Sequence, residues 1–310
     1  MSPRRRMYWF LLAGIALLAS LLVLGACTDD DGDGDGDGAT PTSEATQPSE
    51  SPEATIDVSA VPELEDGVLN IGSDIGYAPN EFYEEGTTNA MGMDVDLMKA
   101  IGDVLGVDVE FAQVGDFAAI VQDVLASRYD VVVSSISVTA ERQAEINLIP
   151  YFGPVGTGVL VQTGNPKGID AIEDLCGLKV AAQAGTFQVL QVEGSAEEEV
   201  VGLNQDVCSD NPITLSTFPD NPTAVLELGS GRVDAEIADD PVAAYSALQS
   251  NGELELAAVG FDAAPYGIGL RKDSTELQAV LEQALQRIMD NGTYLQILQT
   301  WGQEEFAYEQ

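Results

Sequence analysis

The sequence predicts an α/β protein of two lobes, each a mostly parallel sheet flanked by helices, with a hinge between them. Three observations carry this. Short β-rich runs alternate with stretches of helical period, the pattern of parallel strands joined through helices. The alternation stops at "FGPVGTGVLVQTGNP" and begins again beyond it. The patterned region, residues 67–310, holds about 244 residues, more than one hydrophobic core usually serves.

In the first unit "VLNIG" (68–72) reads as a strand, a short run rich in branched side chains. "MDVDLMKAIGDVLG" (93–106) reads as a helix because Val95, Met98 and Leu105 recur at helical spacing. A strand at 107–114, a helix at 117–127 and the strand "DVVVSS" (130–135) complete a βαβαβ unit. The second unit runs "KVAAQ" (179–183, strand), "TFQVLQVEG" (186–194, helix), "ITLSTF" (213–218, strand), "NPTAVLELGSG" (221–231, helix) and "DAEIADD" (234–240, strand). The end of the chain adds "YGIGLRK" and two helices, "STELQAVLEQALQRIMDNG" and "TYLQILQTWG", parted at the stop signal Gly292. On this reading lobe 1 takes 67–157 and 259–310, and lobe 2 takes 158–258.

The first 27 residues read as an export signal: Arg4, Arg5 and Arg6, then the apolar run "MYWFLLAGIALLASLLVLGA", then Cys27. The ending "LGAC" resembles a bacterial lipoprotein signal, which implies lipidation of Cys27 and anchoring to the cell membrane. An uncleaved membrane anchor is the other reading, since the run approaches the ~20 residues that span a bilayer. The three arginines leave the export route open. Residues 28–66 are rich in Asp, Glu, Ser, Thr, Pro and Gly and hold no basic residue, the composition of a disordered acidic tether. Within it Asp33, Asp35, Asp37, Gly38 and Glu44 match the spacing of a calcium loop, but flanks without helical pattern make it a spacer.

Beyond the leader, nine basic side chains stand against 52 acidic ones, a net −43. Such a field repels nucleic acid and anionic headgroups. Cys176 and Cys208 are the two cysteines left after Cys27, and in an exported, oxidising location an even pair reads as a disulfide. Closing a loop of about 30 residues, it contributes roughly 3–4 kcal/mol in the chain-entropy model. With no histidine anywhere and no CxxC, neither a metal nor a cofactor is expected.

The stretch "DVVVSSISVTAER" carries the chemistry. A buried strand runs into Ser134, Ser135, Ser137 and Thr139, and then into one of only five arginines outside the leader. Thr139 is placed to cap a helix whose first turn holds Arg142. An arginine there matches a carboxylate bidentately, aided by the helix N-terminus. The strand ends in polar groups because open α/β sheets bind ligands at the carboxyl ends of their strands.

From Val68 to Gly302 the chain resembles the family-3 extracellular solute-binding proteins of polar-amino-acid ABC importers, with the type-II periplasmic-binding fold. Five ordered motifs carry the resemblance: "LNIGSDIGYAPNEF", "MGMDVDLMKAIGDVLG", "SSISVTAER", "DLCGLKVAAQAGTF" and "GRVDAEIADDPVAAY". It implies a monomeric receptor that captures a zwitterion by hinge closure and presents it to a membrane permease. It implies these roles: Arg142, Ser135 and Ser137 for the ligand carboxylate, with the amide of Thr186; Asp239 for the ammonium, with Asp240 a rival; Tyr77 and Phe117 as enclosing rings; Asp74 for the ligand side chain. Asn80 stands where relatives usually carry a bulky apolar residue. At the pocket mouth it would disfavour a purely apolar ligand. A dehydratase on the same fold, a sensor without transport and a receptor for ectoine-like solutes remain open as alternatives.

Overall fold

The computed structural model describes residues 56–195 and 200–309. The export signal, Cys27 and the Asp-Gly repeat therefore lie outside the described residues. In chain order the elements begin with β1 (Val68–Ser73), β2 (Phe82–Tyr83), β3 (Ala90–Met91), α1 (Met93–Leu105), β4 (Asp108–Gln113), α2 (Ile120–Leu125), β5 (Val131–Val132) and α3 (Ala140–Glu145). They continue with β6 (Asn147–Gln162), β7 (Lys179–Gln183), α4 (Phe187–Glu193), β8 (Thr214–Phe218), α5 (Asn221–Gly229), β9 (Ala235–Asp239) and α6 (Asp240–Gln249). β10 (Leu254–Leu270), α7 (Thr275–Asp290) and α8 (Thr293–Trp301) complete the set.

Eight strands form one sheet in the order β4-β1-β5-β10-β6-β9-β7-β8. At one end β4, β1 and β5 are parallel, and at the other β8, β7 and β9 are parallel. The middle is different in kind. β6 and β10 are antiparallel and long, and the register of their pairing shifts five times between Leu256 and Gly267. Each shift breaks the ladder and bends the strand, so the sheet turns between its two parallel ends. That bend is the hinge of a two-lobed fold.

Each end has its own core. Leu69, Ile71, Leu97, Met98, Ile101 and Leu281 pack together in the first. Val159, Val161, Leu175, Val180 and Ile237 pack in the second. α7 shows why the sequence folds this way. Leu277, Val280, Leu281, Ala284, Leu285 and Ile288 recur at three- and four-residue spacing, and all six are buried on one face. At ~1.5–3 kcal/mol for each large side chain, that stripe contributes roughly 10 kcal/mol toward docking the helix. In the second lobe Cys176 and Cys208 form the expected disulfide, with Cα atoms 5.1 Å apart.

Three sequence expectations are corrected. The acidic segment does not stay a tether as far as Asp66. Val61 and Leu64 are buried in the first core, and Ile56 and Val58 pack against it. Four apolar residues two or three apart give this stretch a face to bury. The strand expected over 130–135 pairs only at Val131 and Val132, because the chain turns at Ser135, whose φ is +48°. Finally, "DPVAAYSALQ" forms α6, which the pattern reading did not resolve.

Candidate functional site

Asp74, Tyr77, Glu81, Phe117, Ser134, Ser135, Ser137 and Arg142 come from the first lobe, and Gln183, Thr186, Phe187, Gln188 and Asp239 from the second. All line one cavity of about 10 Å³, room for about a single water. A wider cleft of about 400 Å³ shares Phe117, Arg142, Thr186 and Phe187 with it. Every site residue expected from the sequence is in this set. Asn80 is not. It is fully buried behind the wall, where its amide donates to Ser135 Oγ at 2.8 Å and its oxygen accepts from Gln303 at 2.9 Å. It is no mouth residue, because that hydrogen-bonded niche has no opening to the cleft.

Arg142 owes its place to α3. Thr139 is the N-cap, and its Oγ1 accepts from the Arg142 amide at 3.3 Å. The guanidinium donates from Nη1 to the Ser137 carbonyl at 2.8 Å. From Nη2 it reaches across to the Gly185 carbonyl at 3.0 Å, and it sits 5.6 Å above the centre of the Phe117 ring. Gly185 makes that approach possible. Its φ is +76°, and a Cβ there would lie 2.6 Å from Ala118 Cα of the other lobe. Thr186 follows as the N-cap of α4, its hydroxyl donating to the Gln183 carbonyl at 2.8 Å.

Asp239 ends β9 and stands at the N-cap position of α6, its side chain turned to other partners. Its carboxylate accepts from Gln188 Nε2 at 2.7 Å, Tyr266 OH at 2.8 Å and Tyr77 OH at 3.1 Å, the two tyrosines from the opposite lobe. Burial pushes its acid up to about 6, against the pull of these three donors. Three donors converge on it, the setting that holds a carboxylate as an anion. Asp240, the rival, turns away. Both its oxygens accept from the Gly260 amide at 3.1 Å, in the bend of β10. Asp74 is gripped by two amides, Gln113 Nε2 at 2.7 Å and Gln183 Nε2 at 2.5 Å, the second crossing the cleft. Burial raises its acid, partly countered by the two glutamines.

Ser135 departs from its expected role. It lines the cavity, but its amide donates to Asp94 at 2.9 Å and its hydroxyl to Glu81 at 3.1 Å. Both polar groups point into the protein, so Ser135 shapes the wall. Sequence reasoning missed Glu81, Ser134, Gln183, Phe187 and Gln188. The first four lie inside motifs quoted for the resemblance and Gln188 directly follows one, but none of them was given a role.

Four links thus join the lobes: Tyr77 and Tyr266 to Asp239, Gln183 to Asp74, and Arg142 to Gly185. A cation from one lobe and an anion from the other face the same small volume. Such an arrangement grips a dipolar solute at both ends and rewards closure.

Comparison with known proteins agrees with this geometry. The model for "Bacterial extracellular solute-binding proteins, family 3" matches residues 69–304. The arginine-binding protein ArgT of Corynebacterium glutamicum is 32% identical over 243 residues, covering 77% of this chain and 75% of that protein. Among solved structures, an ancestral arginine-binding protein bound to arginine is 32% identical with a TM-score of 0.68, over 76% of this chain and 98% of that one. The ancestral amino acid-binding protein AncCDT-1, a precursor of cyclohexadienyl dehydratase, is 30% identical with a TM-score of 0.66, over 77% and 97%. The chain belongs to the bacterial extracellular solute-binding proteins, family 3.

Proposed function

We propose that this protein captures a zwitterionic polar amino acid between its lobes and delivers it to an ABC importer, as a monomer tethered through a lipid on Cys27. The lobes are 67–157 with 259–310, and 158–258. One observation carries the reading: Arg142 and Asp239, on opposite lobes, line one cavity. Arg142 and the Thr186 amide take the ligand carboxylate, and Asp239 takes the ammonium. Tyr77 and Phe117 enclose the side chain, whose polar end meets Asp74, and Ser137 borders the carboxylate. A ligand of amino-acid size enters as the lobes part, exchanging cross-cleft links for bonds to itself. A few charge-assisted bonds at roughly 1.5–3 kcal/mol each match the ~8 kcal/mol of micromolar binding.

Relatives named for arginine, cystine, glutamine and histidine binding support the ligand class. The likeness to a dehydratase precursor keeps one competing reading, catalysis on a carboxylic acid. The chain has no histidine, and both cavity aspartates already hold amide or hydroxyl donors. General acid–base work would fall to carboxylates already engaged in binding. Incubation with cyclohexadienyl acids is expected to give no turnover, and product formation would replace the receptor reading.

A thermal-shift screen over the amino acids and ectoine-like solutes tests the proposal. At least one polar amino acid should raise Tm while its des-amino analogue does not, and a flat screen sinks the reading. Asp239→Asn should lose at least tenfold more affinity for the amino acid than for the des-amino analogue; equal losses count against the ammonium assignment. Gly185→Ala should fold yet bind at least about tenfold more weakly, since the left-handed backbone burdens both forms but a Cβ meeting Ala118 opposes closure alone. Wild-type affinity in that variant would show that closure does not bring these segments together.

A further inference from the structure

The cavity wall holds a second acidic group, behind the residues that grip the ligand. We propose that Glu81 and Asp94 act as a proton-sharing pair that positions the turn at Ser134 and Ser135, and through it Ser137 and Arg142, for ligand capture. This rests on the function proposed above.

The hydrogen bonds fix where each proton lies. Ser134 Oγ accepts from the Asp74 amide at 3.0 Å, so its own hydrogen goes to Glu81 Oε1 at 2.9 Å. Ser135 Oγ accepts from Asn80 Nδ2 at 2.8 Å, so its hydrogen goes to Glu81 Oε2 at 3.1 Å. Asp94 receives the Ser135 amide at 2.9 Å and the Tyr151 hydroxyl at 2.6 Å. Glu81 and Asp94 both meet at Ser135, one through its hydroxyl and the other through its amide, and neither is exposed. Four neutral donors thus converge on two adjacent buried acids.

Adjacent buried carboxyls resist a double charge. Burial and the Asp94 charge hold the Glu81 acid well above its ordinary value. Burial raises Asp94 to about 6, opposed by Tyr151 and Ser135. With one proton, donated by Glu81 to Asp94, every donor has an acceptor. The other titratable groups nearby are Tyr151 on β6, Asp74 beyond Ser134, and Tyr294 behind Tyr151.

The consequence runs along the chain. Ser135 holds a left-handed conformation that a serine rarely adopts, and both its amide and its hydroxyl are tied to the pair. Two residues later the Ser137 carbonyl fixes the Arg142 guanidinium. Removal of the shared proton sets two charges against four neutral donors, and the turn that aims Arg142 loses its hold. These are positioning residues, acting through the turn.

Calorimetry on the full chain, with L-arginine and L-glutamine as probes, tests this. Glu81→Gln stays neutral and offers its amide to Asp94, so at pH 7 it should bind within about threefold of wild type, while Glu81→Ala loses at least tenfold. Between pH 7 and 9.5 the wild-type Kd should rise at least fivefold more than that of Glu81→Gln. The amine of the probe titrates alike in both and cancels. Tyr151→Phe, a mild core change that removes one donor to Asp94, should move the alkaline loss of affinity to higher pH. The ¹³C carboxyl shift of Glu81 without ligand should report a protonated acid at pH 7, and an ionised one in Asp94→Asn. Equal losses in the Gln and Ala variants, parallel pH profiles, or an ionised Glu81 in wild type each overturn the pair alone. A wild-type chain that binds no amino acid overturns the functional reading and the pair's role in capture together.

Discussion

Replacement of Arg142 by alanine is expected to weaken amino-acid binding by about 2–5 kcal/mol, thirtyfold to several thousandfold, while leaving the fold intact. The size follows from what the guanidinium does. It is held at 2.8 Å by the Ser137 carbonyl and stacked over Phe117, so it is aimed before a ligand arrives. A carboxylate then takes over as the acceptor across the cleft, where the Gly185 carbonyl now stands at 3.0 Å. Losing one neutral hydrogen bond costs only ~0.5–1.5 kcal/mol. Leaving a desolvated carboxylate without its cation costs several times that. Arg142→Lys should fall between, because lysine keeps the charge but lacks the planar fork and the stacking. The fold should hold because the α3 cap uses the backbone amide at 142, which any residue but proline supplies. Titration calorimetry and the melting temperature separate the two effects. An unchanged Kd would remove the carboxylate assignment, and a collapsed Tm would show a structural residue instead.

How much of this was legible in the sequence depends on whether a signal was local. β1, β7, β8 and β9 lie within a residue or two of their expected limits, because branched residues between turn signals mark strands directly. The Thr139 cap with Arg142 in the first helical turn was equally local and is present. β6 and β10 were hidden by their own glycines and prolines. Gly153, Pro154, Gly156 and Gly158 read as loop punctuation, yet all lie within β6, where the sheet bends. α6 was hidden because its buried residues include Pro241 and Ala243, too small to draw an apolar stripe. The missed site residues share one cause. Glu81 meets Ser134 across 53 positions, and Gln183 meets Asp74 across 109. A single sequence does not distinguish a buried glutamate in such a network from a solvated one.

The other large effect concerns stability against pH, and it starts from a group outside the site. Glu236 on β9 is fully buried. Its Oε1 accepts from Asn221 at 2.8 Å, and its Oε2 finds no hydrogen-bond partner among the described residues. Burial pushes its acid up to about 8, with the Asn221 bond pulling the other way and Asp239 adding to the rise. An acid raised on folding binds its proton more tightly in the native state. Between about 4.5 and 8 the unfolded chain has released that proton and the folded chain has not, so stability falls as pH rises through this window and levels off above it. For Glu236 alone the fall is on the order of 3–5 kcal/mol. Glu81, held well above its ordinary value by burial and the Asp94 charge, adds to the same slope, as do Asp239 and Asp94, each raised to about 6, at its acidic end. Asp234, held by the Lys179 amide and by Lys167, is lowered and opposes it. The excess of surface acids gives a slope of the same sign, so salt must separate the two. At 1 M salt the Debye length is about 3 Å, which screens the surface but leaves a buried carboxyl alone. Under those conditions the wild type should be several kcal/mol more stable at pH 5 than at pH 8 by urea unfolding. Glu236→Gln should match it near pH 4.5 and exceed it at pH 8 by more than about 2 kcal/mol. If the variant keeps the wild-type slope, Glu236 is ionised in the folded protein, and the buried anion must have a partner that the present network does not contain.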